Sequence, residues 1–76
     1  MNLILFTGPD CHLCQLAKEQ LAAISDVHVI TQNVREDTNL YHRYAMQIPV
    51  LKREDTNQEL NWPFSENDIR SFIQWV

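Results

Sequence analysis

Two cysteines, Cys11 and Cys14, stand three positions apart shortly after the apolar run of residues 2–6. A helical pattern begins at the same point, and a helix N-terminus presents unpaired N–H groups and a partial positive charge that favour the ionised thiol. Because the thiolate is the nucleophilic form of cysteine, we expect Cys11 to be the attacking group. A residue three positions on lies on the same helical face, within the Cα separation of a disulfide, so we expect Cys14 to be the resolving thiol.

Two neighbours of the nucleophile could tune its chemistry, Asp10 and His12. A protonated His12 would stabilise the Cys11 thiolate, but the helix dipole disfavours that charge and the Asp10 carboxylate opposes thiolate formation. The sequence leaves the sign of the net effect open. The alternative interpretation makes His12 a solvated residue of the first helical turn with no catalytic duty.

The composition limits what can surround this pair. Seventy-six residues, 45% of them hydrophobic, predict one domain over residues 1–76, too small to enclose a large cofactor. A formal net charge of −4, with no basic cluster longer than Lys52-Arg53, argues against nucleic acid and membrane partners. We expect a monomer without a resident metal or cofactor, whose partner is a protein or a small thiol or disulfide.

The N-terminal apolar run is too short for a signal peptide or a membrane span, so the sequence predicts a cytoplasmic location. Reducing systems keep structural disulfides rare in that compartment. Two cysteines at this spacing are therefore expected to be redox-active or metal-binding.

The hydrophobic pattern predicts alternating strands and helices. Residues 3–6 are apolar without alternation, so we expect a central strand with Leu3, Ile4 and Leu5 all buried. The polar stretch around Glu36 and Asp37 precedes a second, short helix. In full, the pattern predicts strands over 3–6, 27–31, 49–52 and 58–61, and helices over 11–24, near 40–45, and from a capping box at 65–68 to Val76.

Four aromatic side chains outside the first strand could lie in the core or form a docking surface. Trp62 and Phe64 come just before the last amphipathic helix, and Tyr41 and Tyr44 lie in the short helix. In so small a domain such residues more often fill the core, and we expect all four there.

The order βαβαββα, with CxxC opening the first helix and a proline opening the third strand, resembles the thioredoxin fold in its glutaredoxin-sized form. More narrowly, the chain resembles a family of small bacterial glutaredoxin-like proteins in Cys11-His12-Leu13-Cys14, in Tyr44 ahead of Ile48-Pro49-Val50-Leu51, and in Glu59-Leu60 and Trp62-Pro63-Phe64 before the last helix. The resemblance implies an α/β fold with a four-stranded mixed sheet flanked by helices on both faces. It also implies a cis peptide bond before Pro49, with Ile48 and Pro49 beside the dithiol holding the substrate.

The sequence departs from glutaredoxins that use glutathione. Those proteins usually carry a lysine where Gly8 stands, Pro-Tyr between the cysteines where His12-Leu13 stands, and a Gly-Gly pair near residues 60–63. The lysine and the glycines serve the glutathione carboxylates, so most of the usual contacts are missing. This argues against glutathione as the physiological reductant.

Three functions remain after these considerations. The motif favours a thiol–disulfide oxidoreductase in which Cys11 attacks a substrate disulfide and Cys14 resolves the mixed disulfide. The second is a metal or iron–sulfur carrier, although one CxxC supplies only two of four ligands. The third is a non-catalytic binding module, since a fold does not guarantee its function.

Overall fold

A computed structural model describes residues 1–74 of the chain. The elements are β1 (Asn2–Thr7), α1 (His12–Ala22), β2 (His28–Asn33), α2 (Thr38–Tyr44), β3 (Val50–Arg53), β4 (Glu59–Asn61) and α3 (Glu66–Gln74), with a 3-10 turn at Val34–Glu36. The predicted order βαβαββα is confirmed, and the 3-10 turn is the element that the hydrophobic pattern missed. The predicted end of the last helix at Val76 lies outside the described residues.

The four strands form one mixed sheet in the order β2-β1-β3-β4. Strand β1 pairs parallel with β2 and antiparallel with β3, which pairs antiparallel with β4. The register places Leu5 between Thr31 and Leu51. Strand β1 is central in the sheet and ends at Thr7. The loop that follows therefore starts in the middle of the sheet, between the ends of β2 and β3.

Helices α1 and α3 cover one face of the sheet. Leu3 and Leu5 point to this face and are both fully buried. They belong to a core whose other buried members are Ala17, Leu21, Ile24, Leu51, Phe64 and Ile69. The larger of the two hydrophobic clusters lies on this face. Its contacts hold α1, the helix that begins at the dithiol, against the sheet.

Helix α2 and the 3-10 turn cover part of the opposite face, so the predicted two-sided covering is confirmed. The Tyr44 ring stacks on Phe6 with the centroids 4.3 Å apart. The burial predicted for Ile4 is wrong, since this side chain is half-buried and its β2 neighbour Ile30 is 47% exposed. The reason is length, because the seven residues of α2 cover only the end of the sheet that carries Phe6 and Val50.

The aromatic side chains divide between core and surface. Tyr44 and Phe64 are buried as predicted, whereas Tyr41 is 43% exposed, against the prediction. Trp62 is half-buried and meets Phe64 edge-on, with the ring centroids 5.0 Å apart.

Within residues 1–74, no helix has the length and apolar character needed to cross a membrane.

Candidate active site

The Cys11 side chain caps helix α1. Its backbone is extended, with φ −98° and ψ 101°, and its Sγ accepts a hydrogen bond from the backbone N–H of Cys14 at 3.1 Å. The Gln15 N–H donates to the Cys11 carbonyl at 3.2 Å and so begins the helical ladder. A helix N-cap residue normally accepts through oxygen, so here the sulfur takes the place at which the helix stabilises negative charge.

The two cysteines form a disulfide with their Cα atoms 5.2 Å apart. Their surroundings differ, since Cys14 is only 2% exposed and Cys11 is partly exposed. Cys11 is therefore the more accessible sulfur of the pair. This difference in exposure is the structural basis for the unequal use of the two thiols that the sequence predicts.

The loop that leads from β1 to Cys11 approaches the Ile48 side chain closely. A Cβ added at Gly8 would lie 2.7 Å from Ile48 Cδ1, so glycine leaves room for this contact. Asp10 has φ 55°, in the left-handed region that aspartate accepts more readily than most residues. Gly8 and Asp10 thus shape the entry to the helix, and the helix cap itself comes from Cys11.

An open depression of about 510 Å³ surrounds the dithiol. The two residues expected to tune the cysteines, Asp10 and His12, are both exposed and both line it. The structure adds Lys18, a cation that the sequence analysis did not consider although it lies one helical turn beyond Cys14. The lining consists of Gly8, Asp10, Cys11, His12, Cys14, Gln15 and Lys18.

The Ile48-Pro49 segment lies beside the same loop. The peptide bond between the two residues is cis, as is the one between Trp62 and Pro63. Pro49 is buried, and the Ile48 N–H donates to the Tyr44 carbonyl at 3.1 Å. Since proline has no N–H, this segment has only carbonyl groups to offer an incoming chain.

A smaller pocket of about 120 Å³ lies between the loop and α2. Sequence reasoning missed Arg35, because the 3-10 turn that carries it has no periodic signature, and it predicted the core as the place of Tyr41. Arg35 is the single charged residue of the lining, which consists of Gly8, Pro9, Val34, Arg35, Tyr41, Ala45 and Ile48.

Behind this pocket, α2 is joined to the sheet edge by a polar contact. The Tyr44 hydroxyl donates to Glu59 Oε2 on β4, and the Arg43 guanidinium lies 5.4 Å from the centre of the Tyr44 ring. Burial, together with the hydrogen bond to the Glu59 carboxylate, raises the pKa of Tyr44 above its ordinary value. This contact holds α2 against β4, the edge strand next to β3.

Metal-binding side chains are not grouped in the part of the chain that the structure describes. Within residues 1–74, no three His, Cys, Asp or Glu side chains lie together in an arrangement that could hold a metal ion.

The fold and the dithiol define a small thioredoxin-like protein with a CxxC pair at the start of its first helix. The chain belongs to the glutaredoxin-like domain family (DUF836), whose model matches residues 2–74. The family resemblance and the fold expected from the sequence are both confirmed by this match.

Solved structures agree with this assignment. The crystal structure of protein XcR50 from X. campestris is 32% identical, with a TM-score of 0.87 over 95% of both chains. The solution structure of XcR50 is 34% identical, with a TM-score of 0.83 over 97% of this chain and 94% of the other. A malarial protein shares the fold at 13% identity, with a TM-score of 0.67 over 96% and 92% of the two chains. No curated protein matches the chain.

Proposed function

We propose that this protein is a thiol–disulfide oxidoreductase with Cys11 as nucleophile and Cys14 as resolving thiol. The observation that carries the proposal is the hydrogen bond from the Cys14 N–H to Cys11 Sγ at the N-terminus of α1. In the reduced protein this donor and the helix dipole stabilise negative charge on the Cys11 sulfur. The family and the CxxC pair support the same chemistry.

The reaction has two exchange steps. The Cys11 thiolate attacks one sulfur of a substrate disulfide, forms a mixed disulfide and releases the other substrate sulfur as a thiolate. The Cys14 thiolate then attacks the Cys11 sulfur, which forms the Cys11–Cys14 disulfide and releases the second substrate thiolate. Two electrons pass to the substrate, and an external thiol or dithiol returns them to the protein in the reverse sequence.

The segment beside Pro49 holds the substrate chain in this proposal. The Ile48 N–H is already used by Tyr44, so the available backbone group is the Ile48 carbonyl. An extended substrate would donate an N–H to it, which is a short form of strand addition. This contact requires a peptide backbone and places few demands on side chains.

We propose that the partners are protein or peptide disulfides and that glutathione is a poorer partner. The lysine that pairs with a glutathione carboxylate in related proteins is Gly8 here, and the segment over residues 60–63 has no glycine pair. We also propose that the protein acts as a monomer in the cytoplasm, without a cofactor.

The test is trapping of mixed disulfides. Cys14→Ser keeps the nucleophile and removes the resolving thiol, so the reduced variant should accumulate an adduct with a peptide disulfide. Cys11→Ser is the matched control and should form none, because the remaining thiol is buried. Mass spectrometry of the intact protein, after incubation with glutathione disulfide and a peptide disulfide at equal concentration, counts the adducts.

The outcomes separate the proposals. More peptide adduct than glutathione adduct on Cys14→Ser supports both the exchange chemistry and the missing glutathione contacts. A clear preference for glutathione would refute the substrate assignment and leave the chemistry in place. No adduct with either disulfide would refute the oxidoreductase proposal itself.

A further inference from the structure

A groove separate from the depression around the dithiol lies along the later part of α1. It has a volume of about 710 Å³ and runs between α1 and the segment before α3. Leu16 and Gln20 form its α1 side, and Trp62 and Pro63 form the opposite side. The remaining lining residues are Glu19, Phe64, Ser65, Glu66 and Asp68.

The groove lies further along the helix that Cys11 caps. Leu16, its first lining residue, is five residues beyond Cys11, a rise of about 7.5 Å along the helix axis. Leu13, one turn before Leu16 on the same helical side, is 42% exposed beside the dithiol. A chain disulfide-bonded to Cys11 can therefore continue over Leu13 into the groove.

The floor of the groove is apolar and aromatic. The Trp62 ring meets the buried Phe64 edge-on at 5.0 Å, and both pack against the core below α1 and α3. Trp62 is nevertheless half-buried and faces the groove with part of its surface. Aromatic surface of this kind forms anchor pockets for apolar side chains at protein interfaces.

The charged residues that line the groove are all acidic. Glu19, Glu66 and Asp68 contribute carboxylates, and no lysine, arginine or histidine of residues 1–74 lines the groove. Arg70 pairs with Glu66 from outside the lining at 2.8 Å, and Asp68 accepts hydrogen bonds from Ser65. Glu19 is exposed and forms no ion pair within residues 1–74.

One polar atom of a lining residue has no partner. Gln20 is half-buried, and its Oε1 is turned away from solvent and accepts no hydrogen bond within the described part of the chain, so an occupant would meet this oxygen after a rotation of the side chain. A buried acceptor left without a donor costs stability, of a size comparable to a lost hydrogen bond. A donor supplied by an occupant of the groove would satisfy it.

We infer that this groove docks a basic segment of the partner protein whose disulfide reacts at Cys11. The occupant is a short peptide segment in which an apolar side chain rests against Trp62 and neighbouring lysine or arginine side chains face Glu19 and Asp68. The carboxylates repel glutathione, which is itself an anion. The inference rests on the proposed function, because the docked segment belongs to the substrate of the exchange reaction.

The experiment compares three activated peptides on reduced Cys14→Ser. Each carries one cysteine as a mixed disulfide with thionitrobenzoate, a short Gly-Ser spacer, and then Lys-Leu-Lys, Gln-Leu-Gln or Glu-Leu-Glu. Release of thionitrobenzoate gives the trapping rate. At low ionic strength the Lys peptide should react about tenfold faster than the Glu peptide, the Gln peptide should lie between them, and added salt should reduce the differences.

Two variants in the Cys14→Ser background locate the effect. Glu19→Lys should reduce the ratio of the Lys rate to the Glu rate by about threefold or more, because it reverses one charge of the lining. Glu54→Lys changes the net charge equally at the far end of β3 and should leave the ratio unchanged. Equal rates for the three peptides, or an equal effect of Glu54→Lys, would overturn the inference.

A third variant tests the unpartnered acceptor. Gln20→Leu keeps the size of the side chain and removes the buried oxygen, so the melting temperature should stay the same or rise. The Lys peptide should nevertheless be trapped more slowly. A lower melting temperature combined with an unchanged trapping rate would show that Gln20 serves the fold rather than the occupant.

A binding measurement distinguishes failure of the groove from failure of the chemistry. A Lys-Leu-Lys peptide without cysteine is titrated into the oxidised wild-type protein, and the Trp62 indole N–H signal is followed by NMR. A shift of that signal, with none from the Glu-Leu-Glu peptide, supports the groove even where no thiol exchange is found. No shift with either peptide would overturn the groove even where Cys14→Ser forms adducts.

Discussion

At the scale of single residues, the Cys11 sulfur has two roles. It closes the first turn of α1 as a hydrogen-bond acceptor, and it is the exposed end of the disulfide. The same N–H that caps the helix would stabilise a thiolate after reduction. Cys14 has no comparable position, since it is one turn inside the helix and almost fully buried.

The first prediction concerns the unequal reactivity of these two thiols. In the reduced protein, iodoacetamide at neutral pH should alkylate Cys11 first, with a midpoint of the pH profile below about 8.5, the pKa of an ordinary thiol. Peptide mapping of partly labelled protein gives both rates. Equal labelling of Cys11 and Cys14 at every pH would contradict their assignment as nucleophile and resolving thiol.

At the scale of elements, the β1–α1 loop contacts the chain before β3, and in the proposed function this contact shapes the substrate side of the site. Gly8→Ala should displace Ile48, because the added Cβ would lie 2.7 Å from Ile48 Cδ1. In the Cys14→Ser background, we expect slower trapping of a peptide disulfide and an unchanged rate of Cys11 alkylation by iodoacetamide.

A second substitution checks this cause. Ile48→Val removes Cδ1, so the double variant Gly8→Ala/Ile48→Val should recover part of the lost trapping rate. Additive losses in the double variant would mean that the two residues act independently.

The cap of α2 offers a prediction about stability. Asp37 Oδ1 accepts hydrogen bonds from the N–H groups of Asn39 at 2.8 Å and Leu40 at 3.2 Å. Asp37→Ala should reduce the free energy of unfolding by about 1 kcal/mol, the usual cost of losing an N-cap. Urea unfolding measures the change, and Asp37→Asn, which keeps a capping oxygen, should retain most of the stability.

At the scale of the whole molecule, Arg53 joins parts that are distant in the chain. Its side chain is 2% exposed, its Nε and Nη2 donate to Asp55 at 2.9 and 2.6 Å, and its Nη1 donates to the Phe72 carbonyl of α3 at 2.8 Å. The sequence pattern placed Arg53 in the polar turn between two strands. The structure places it at the end of β3, where its donors hold the turn and α3 together.

The last prediction concerns the loss of stability at acidic pH. The hydrogen bond from Arg53 lowers the pKa of the Asp55 carboxyl below its ordinary value of 3.8. The stability contributed by this carboxylate is therefore fully present above about pH 4 and lost as the pH falls through the lower, folded-state pKa. Asp55→Asn should melt below the wild-type protein at neutral pH, with a gap that closes in acid. Calorimetry across pH measures the gap, and Glu54→Gln should show no comparable dependence.

The sequence alone determined the order of the elements and the place of the dithiol. These depend on local signals, namely apolar runs, helical spacing, and a CxxC motif directly after a strand. Such signals act over a few residues, so they survive without knowledge of the fold. The family resemblance rested on the same local motifs, and the family match bears it out.

The tertiary structure decided what depends on residues far apart in the chain. It left Ile4 half-buried because α2 is short, it left the Tyr41 side chain of α2 exposed, and it buried Arg53 because the last helix supplies an acceptor for its guanidinium. It also joined α1 to the segment around Trp62 in one groove, although more than forty residues separate them in the chain. The burial of a side chain and the charge around it depend on all the residues that lie near it in space. The sequence pattern does not show which residues those are.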